Sequence, residues 1–477
     1  MQKKFISNLI LIVILNLLVK PLAIFGIDAG VQNRVGTEAY GLYFSLLNLS
    51  FIFNIISDLG INNFTTRNIA RYPKVMPKYF GKILGFRMLL FVLYTLLTLS
   101  TGFIAGYRGE ALYFLSVLIL NQLLATLIAY FRSHFGGLHL FKTDAVVSVL
   151  DRSLLILLCG SAFFMESTLG TFQIEWFIWL QTISYAITLL IAFTLLVREI
   201  GMPRLEFNRA VSYAILRQSM PFATLVLLMM LYTRSDSVLL ERMHPHGAFE
   251  AGIYAKGFRL LDAFYMFGMI FANLLLPLFS RSLKEHKEKV LPLLRMASSL
   301  LIGGSILIAF LCHFHAEKIL GWIYHNELHL ASQPFQLIMW GFIGMSTSLI
   351  FGSLLTAHGE LKLLNFFSAF GVLLNFGLNV FLIPVWGAVG AAFSCLLTQA
   401  IMALVQLLLC MKRFGYTFGE LGFHKYFLLS GWMVGLHLIP VQPLMSLLIM
   451  LAGGSAGLFL FKLIDLRSML KTFKENS

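Results

Sequence analysis

The chain is built from apolar runs about as long as a bilayer is thick, and that repetition limits what it can fold into. A helix needs roughly 20 mostly apolar residues to cross the hydrocarbon core. Fourteen such runs are read here, centred near residues 17, 50, 94, 121, 155, 185, 230, 266, 303, 345, 374, 398, 432 and 453, with mostly short loops between them. The expectation is an all-α, polytopic membrane protein. Composition agrees: 58% hydrophobic and 12% charged residues, with a mean hydropathy of +0.82, lie far outside the soluble range.

The net charge of +14 does not point to nucleic acid, because the basic residues are scattered between apolar runs and form no basic face. Cys159, Cys312, Cys395 and Cys410 lie in or at the ends of runs without paired spacing, so they read as small apolar residues. The first run follows Lys3 and Lys4 as a signal peptide would, but it has no small-x-small cleavage site and continues past Pro21; it is kept as a membrane helix.

Topology follows from where the charges fall. With the N-terminus cytoplasmic, 26 of the 36 lysines and arginines lie in inside segments, whereas only Arg34, Arg108, Arg242 and Lys318 lie outside. The positive-inside rule then puts both termini in the cytoplasm. A multi-pass protein of a bacterial cytoplasmic (inner) membrane is expected.

Six basic residues fall within runs. Arg87 and Arg152 sit near cytoplasmic ends, where a long side chain can snorkel to the interface. Lys20, Arg234, Lys256 and Arg259 lie in outer halves of their spans, against the topological bias, so insertion does not explain them. Charge at that depth faces a bundle interior or a water-filled path. Asp236 and Asp262 accompany them. At 100° per residue Lys256, Arg259 and Asp262 share one arc, whereas Arg234 and Asp236 are about 200° apart. Arg259 and Asp262 have the spacing of a helical pair. Pro21, next to Lys20, removes a backbone donor and should loosen the first helix, with Gly26 and Gly30 adding to the effect.

A weak internal repeat relates Glu38–Tyr43 to Glu250–Tyr254 at an offset near 211, and Gly170 onward to Gly387 onward near 217. It implies two parallel six-helix lobes, residues 1–212 and 213–413, with the substrate site between them. Residues 414–477 then hold two further helices and a cytoplasmic tail.

No GxxxxGK[ST] loop occurs, and neither a cofactor nor a metal is expected. The histidine pairs His244/His246, His313/His315 and His325/His329 lack carboxylate or cysteine partners. Gln181, Asn365, Asn375, Asn379 and Gln399 read as interhelical glue. A membrane-embedded polysaccharide polymerase would need catalytic acids or a buried histidine and a sizeable external loop; no external loop here exceeds about twenty residues.

Four segments carry a resemblance: VGTEAYGLYF at Val35–Phe44, the Tyr232–Asp262 block, LLLPLFSR closing span eight, and PVWGAVGAAFSCLLTQ at Pro384–Gln399. The pattern resembles the Wzx-type polysaccharide flippases of the multidrug, oligosaccharidyl-lipid and polysaccharide exporter superfamily. The resemblance implies a non-enzymatic transporter that moves an undecaprenyl-diphosphate-linked oligosaccharide to the outer leaflet. It also implies a cationic cavity, matched in position by Lys20, Arg234, Lys256 and Arg259. Asp236 and Asp262 are expected to couple transport to an ion or proton. The alternatives are a drug or toxin exporter of the same superfamily, which for organic cations would prefer an acidic cavity, and an integral-membrane polysaccharide polymerase.

Overall fold

The computed structural model describes residues 15–16, 18–71, 77–202 and 209–463, and among them every regular element is a helix. Lys3, Lys4, Lys74 and the expected tail from residue 464 lie outside these residues. Among the described residues eleven helical stretches are long and apolar enough to cross a bilayer; they contain twelve of the fourteen centres read from the sequence. The runs near 374 and 398 lie on one stretch, Leu361–Phe414, of 54 residues. Straight, it would be about 80 Å long, but it breaks at Gly387 (φ 51°, ψ −128°). A Cβ on Gly390 would lie 2.5 Å from the carbonyl oxygen of Leu382, so the chain doubles back into a hairpin just after Pro384. The run near 432 yields only the 15-residue helix Phe423–His437. The run near 17 begins among residues not described.

The loosening expected at Lys20-Pro21 takes the form of a widened turn. The chain is helical over 18–22, π-helical over Ala23–Asp28 and α-helical again over Ala29–Val35. Proline cannot donate to the turn before it, and π turns arise where the regular ladder is interrupted.

Two compact units divide the chain, Met1–Gly252 and Ile253–Ser477. In the first, Glu110–Gly137 packs against Ile174–Ile200, Thr37–Ile52 and Ile61–Arg71, and Arg209–Met243 packs on Thr37–Ile52. Pro77–Ile104 shows how lipid inverts the usual pattern. Leu89, Val92, Leu93 and Leu96, spaced i, i+3, i+4, i+7, are each roughly half exposed, whereas Arg87, Tyr94 and Thr98 are buried. Lipid tails give no hydrophobic drive between such helices, so cohesion comes from close packing and interhelical hydrogen bonds. Tyr94 Oη donates to the Ser50 carbonyl at 2.9 Å, and Gln181 Nε2 to Tyr43 Oη at 2.8 Å, the bridging role read for that glutamine.

In the second unit Leu328–His358 packs along Leu361–Phe414, and Val290–Phe314 lies against Leu328–His358 and the last two described helices, Phe423–His437 and Pro443–Leu460. Those two pair with each other, Trp432 Nε1 donating to the Gly453 carbonyl at 2.9 Å. All four cysteines are buried free thiols. Helix Gly247–Glu285 begins in the first unit and continues into the second.

Candidate functional site

The stretch after Thr37–Ile52 is interrupted twice. It resumes as Ile55–Asp58, breaks at Leu59 and Gly60, both with positive φ, and continues as Ile61–Arg71. Asp58 stabilises the second break by accepting from the backbone N–H of Gly60 (3.2 Å) and of Asn62 (3.3 Å). The unwound turn brings Asp58 and Asn62 onto Arg87. Its Nη2 lies 3.2 Å from Asp58 Oδ1, its Nη1 donates to Asn62 Oδ1 at 2.7 Å, and Nη2 also reaches the Thr126 carbonyl at 3.3 Å. The guanidinium lies over the Tyr130 ring, 4.8 Å from its centroid. Arg87 is 2% exposed and does not snorkel as its position in the run suggested. The reason is that a broken helix offers it a carboxylate, a carboxamide and a carbonyl at depth.

Beside this cluster lies a cavity of about 380 Å³, with Phe51, Asn54, Asp58, Asn62, Thr126 and Arg234 among its lining residues. Arg234 comes from Arg209–Met243, whose register against Thr37–Ile52 is fixed by two bonds: Ser45 Oγ donates to the Ser237 carbonyl (2.8 Å) and Asn48 Nδ2 to Ser237 Oγ (2.9 Å). Arg234 Nη1 donates to Asn48 Oδ1 at 3.2 Å and its guanidinium lies 5.6 Å from the Phe51 ring centroid. Asp236, about 200° further round the helix, is 1% exposed and does not line the cavity. Arg87 meets the charge of Asp58 behind the wall, and Arg234 brings a guanidinium to the wall itself.

The other expected residues are distributed differently. Lys20, half-buried ahead of the π turn, lies within electrostatic reach of Arg132, Arg152 and Asp151 and does not line this cavity. Arg132 is held by Asp144 at 2.7 Å, and Arg152 donates to Tyr185 Oη at 3.1 Å. In the second unit Lys256 is buried, with Nζ 2.8 Å from Glu327 Oε2 and donating to the Asn326 carbonyl at 2.6 Å. Arg259 and Asp262 stand 3.9 Å apart, beyond hydrogen-bond distance. The sequence reading did not single out Asn48, Asn54, Asp58, Asn62 or Asp28, which accepts from Tyr40 Oη at 3.3 Å. A signal for Asp58 was present: an aspartate before Leu-Gly inside an apolar run is turn chemistry, and Arg87 is the opposite charge at apolar depth.

The sequence profile described as polysaccharide biosynthesis protein matches residues 5–283, more than half of the chain. The chain belongs to the polysaccharide biosynthesis protein family. The matched region contains all six expected residues, Lys20, Arg234, Asp236, Lys256, Arg259 and Asp262. A second profile, MatE, matches residues 221–381. No curated protein matches the chain.

Solved structures resemble most of this polysaccharide biosynthesis family member. The lipid II flippase MurJ in an inward closed conformation aligns with a TM-score of 0.72 at 14% identity, covering 97% of this chain and 100% of that one. An inward-facing multidrug resistance MATE family transporter of the MOP superfamily aligns at 0.63 and 16%, covering 82% and 94%. A MOP superfamily transporter from Pyrococcus furiosus, described as having a binding pocket of reverse polarity, aligns at 0.60 and 15%, covering 87% and 96%. The chain is thus a multi-pass membrane protein with the fold of the MOP superfamily transporters.

Proposed function

We propose that this protein is a flippase. It moves an undecaprenyl-diphosphate-linked oligosaccharide from the cytoplasmic to the outer leaflet of a bacterial inner membrane, as a step in cell-surface polysaccharide assembly, and makes or breaks no covalent bond. Arg234 on the wall of the cavity carries the reading. A diphosphate must shed water to cross a bilayer, and a guanidinium can replace that hydration with two parallel charge-assisted bonds. The neighbouring Asn54, Asn62 and Thr126 suit sugar hydroxyls, which both donate and accept. The polyprenyl tail can stay in lipid. Lys20, Lys256 and Arg259 are proposed as further headgroup contacts. Asp236 and Asp262 are proposed to couple the cycle to an ion or proton.

The MatE match favours one other reading, export of a drug or toxin. An organic cation would be repelled by Arg234, so the charge on this wall favours the anionic lipid.

Arg234→Ala should abolish surface glycan while leaving the protein in the membrane at normal abundance. Arg234→Lys should restore only part, because an ammonium is a point charge. Normal glycan in a well-expressed alanine variant would overturn the substrate assignment. For coupling, Asp236→Asn and Asp262→Asn are expected to change the pH dependence of export in proteoliposomes; wild-type rates and pH profile in both would remove that role.

A further inference from the structure

Three helix ends in the second unit surround a pocket of about 420 Å³. The start of Val290–Phe314 contributes Pro292, Arg295, Met296 and Ser299; the turn before Phe423–His437 and that helix's first residues contribute 419–422 and 424–426; Lys462 and Leu463 follow Pro443–Leu460. Because apolar helices begin and end here, the pocket lies where hydrocarbon gives way to headgroups. The lysine and arginine bias assigns that level to the cytoplasmic side.

The wall is basic. Arg295, His424, Lys425 and Lys462 face a single carboxylate, Glu420. Glu420 Oε2 already accepts from the backbone N–H and the hydroxyl of Thr417, at 2.8 and 2.9 Å. Among the described residues none of the four basic side chains forms a salt bridge. Arg295 Nε donates to the Glu420 carbonyl and Lys425 Nζ to the Lys462 carbonyl at 3.0 Å. Those bonds position the two cations but leave donors on each, since guanidinium has five N–H groups and ammonium three. Met296, Leu421 and Leu463 supply an apolar side. Next along the helix, Phe427 and Leu428 are 78% and 53% exposed, as side chains facing acyl chains would be.

We propose that this pocket binds the headgroup of an anionic phospholipid, its phosphodiester held among Arg295, Lys425 and Lys462 with the acyl chains along the Phe427 face. Basic pockets between membrane helices on the cytoplasmic side recognise such headgroups by charge. A soluble phosphate would satisfy the cations alone and leave the adjoining apolar surface unused.

The test titrates the purified full chain in zwitterionic micelles with phosphatidylglycerol, phosphatidylcholine or inorganic phosphate, following thermal unfolding and lipid retained in native mass spectra. Phosphatidylglycerol should half-saturate the stabilisation at a concentration at least tenfold below phosphatidylcholine. Arg295→Gln/Lys425→Gln/Lys462→Gln should abolish that preference. A charge-matched control, Lys284→Gln/Lys287→Gln/Lys412→Gln, alters exposed lysines outside the pocket and should keep it. An unchanged preference in the pocket variant, equal effects of the two lipids, or equal protection by inorganic phosphate would each overturn the proposal, the last by assigning the site to a soluble anion. If the triple variant does not fold, Lys462→Gln alone decides. Its side chain is exposed and only its backbone carbonyl holds Lys425, so about threefold weaker phosphatidylglycerol binding is expected, and none would overturn the site.

Discussion

Gly41 and Gly252 hold two helices at backbone contact, and they do so reciprocally. A Cβ on Gly41 would lie 1.8 Å from the Ala248 carbonyl oxygen, and one on Gly252 would lie 1.9 Å from that of Thr37. Each glycine therefore meets the carbonyl four residues before the other. These are the two segments whose sequences repeat, Glu38–Tyr43 and Glu250–Tyr254, and Gln32 Nε2 fastens the crossing by donating to the Gly252 carbonyl at 2.9 Å. Even a methyl group must push the helices apart. Gly41→Ala or Gly252→Ala is expected to cost about 1–3 kcal/mol, read as a lower Tm of the purified protein in detergent. Gly160→Ala, where nothing lies within 4 Å of the added carbon, should be neutral or slightly stabilising. Matching melting curves for Gly41→Ala and wild type would refute the close crossing.

Arg87→Gln should leave Asp58 without its counter-charge and cost about 1–3 kcal/mol, less than for a fully buried pair because Asp58 lines the cavity and keeps two backbone donors. Abundance in the membrane should fall with it. Adding Asp58→Asn should recover part of the loss, because the stranded charge goes with its partner. A single variant as stable and abundant as wild type would show that Arg87 reaches water after all.

Lys256, one of the expected substrate contacts, has a carboxylate, that of Glu327, at 2.8 Å. Lys256→Ala should lower both abundance and glycan export. The Lys256→Ala/Glu327→Ala double should restore abundance without restoring export, if the lysine also serves the headgroup as proposed. Recovery of both quantities in the double variant would reduce Lys256 to a structural pair.

His315 gives a pH dependence with a definite sign. It lies just past Val290–Phe314, its Nε2 3.4 Å from Ser446 Oγ and its ring 6.2 Å from that of His437. Burial first, then the charges of His437 and Lys318, hold its imidazole below its ordinary value. The unfolded chain therefore takes the proton first, at about pH 6.5. The stability contribution is present above that pH and is lost as pH falls toward the folded value. Wild-type Tm should drop between about pH 6.5 and pH 5 more steeply than that of His315→Gln; parallel curves would contradict the assignment.

Run length made the helical architecture legible, because bilayer thickness acts on composition alone. What escaped was local backbone geometry. The break at Leu59-Gly60 decides where Asp58 points and so turns Arg87 from an interfacial residue into a buried one, and no count of apolar residues reports that. The same holds at Gly387, where one positive φ folds a single long helix back on itself. Arg234, which lines the cavity, stands out in the sequence because a cation in an outer half-span contradicts insertion; Asn48 and Asn62, which bond to the two arginines, are neutral and carry no such contradiction.

The π-helical turn Ala23–Asp28 makes the aim of the first span a matter of arithmetic. Such a turn holds one residue more than a regular ladder would. Removing one residue from it would restore the α ladder and leave what comes before it, Lys20 included, facing nearly as it does now relative to Asp28. In most membrane helices a one-residue deletion scrambles every face beyond it; here the spare residue is already in place. The direction of Lys20 is therefore buffered against a change of length at this one place: the turn can lose its spare residue without re-aiming the charge, whereas a deletion elsewhere in the helix would turn it by about 100°.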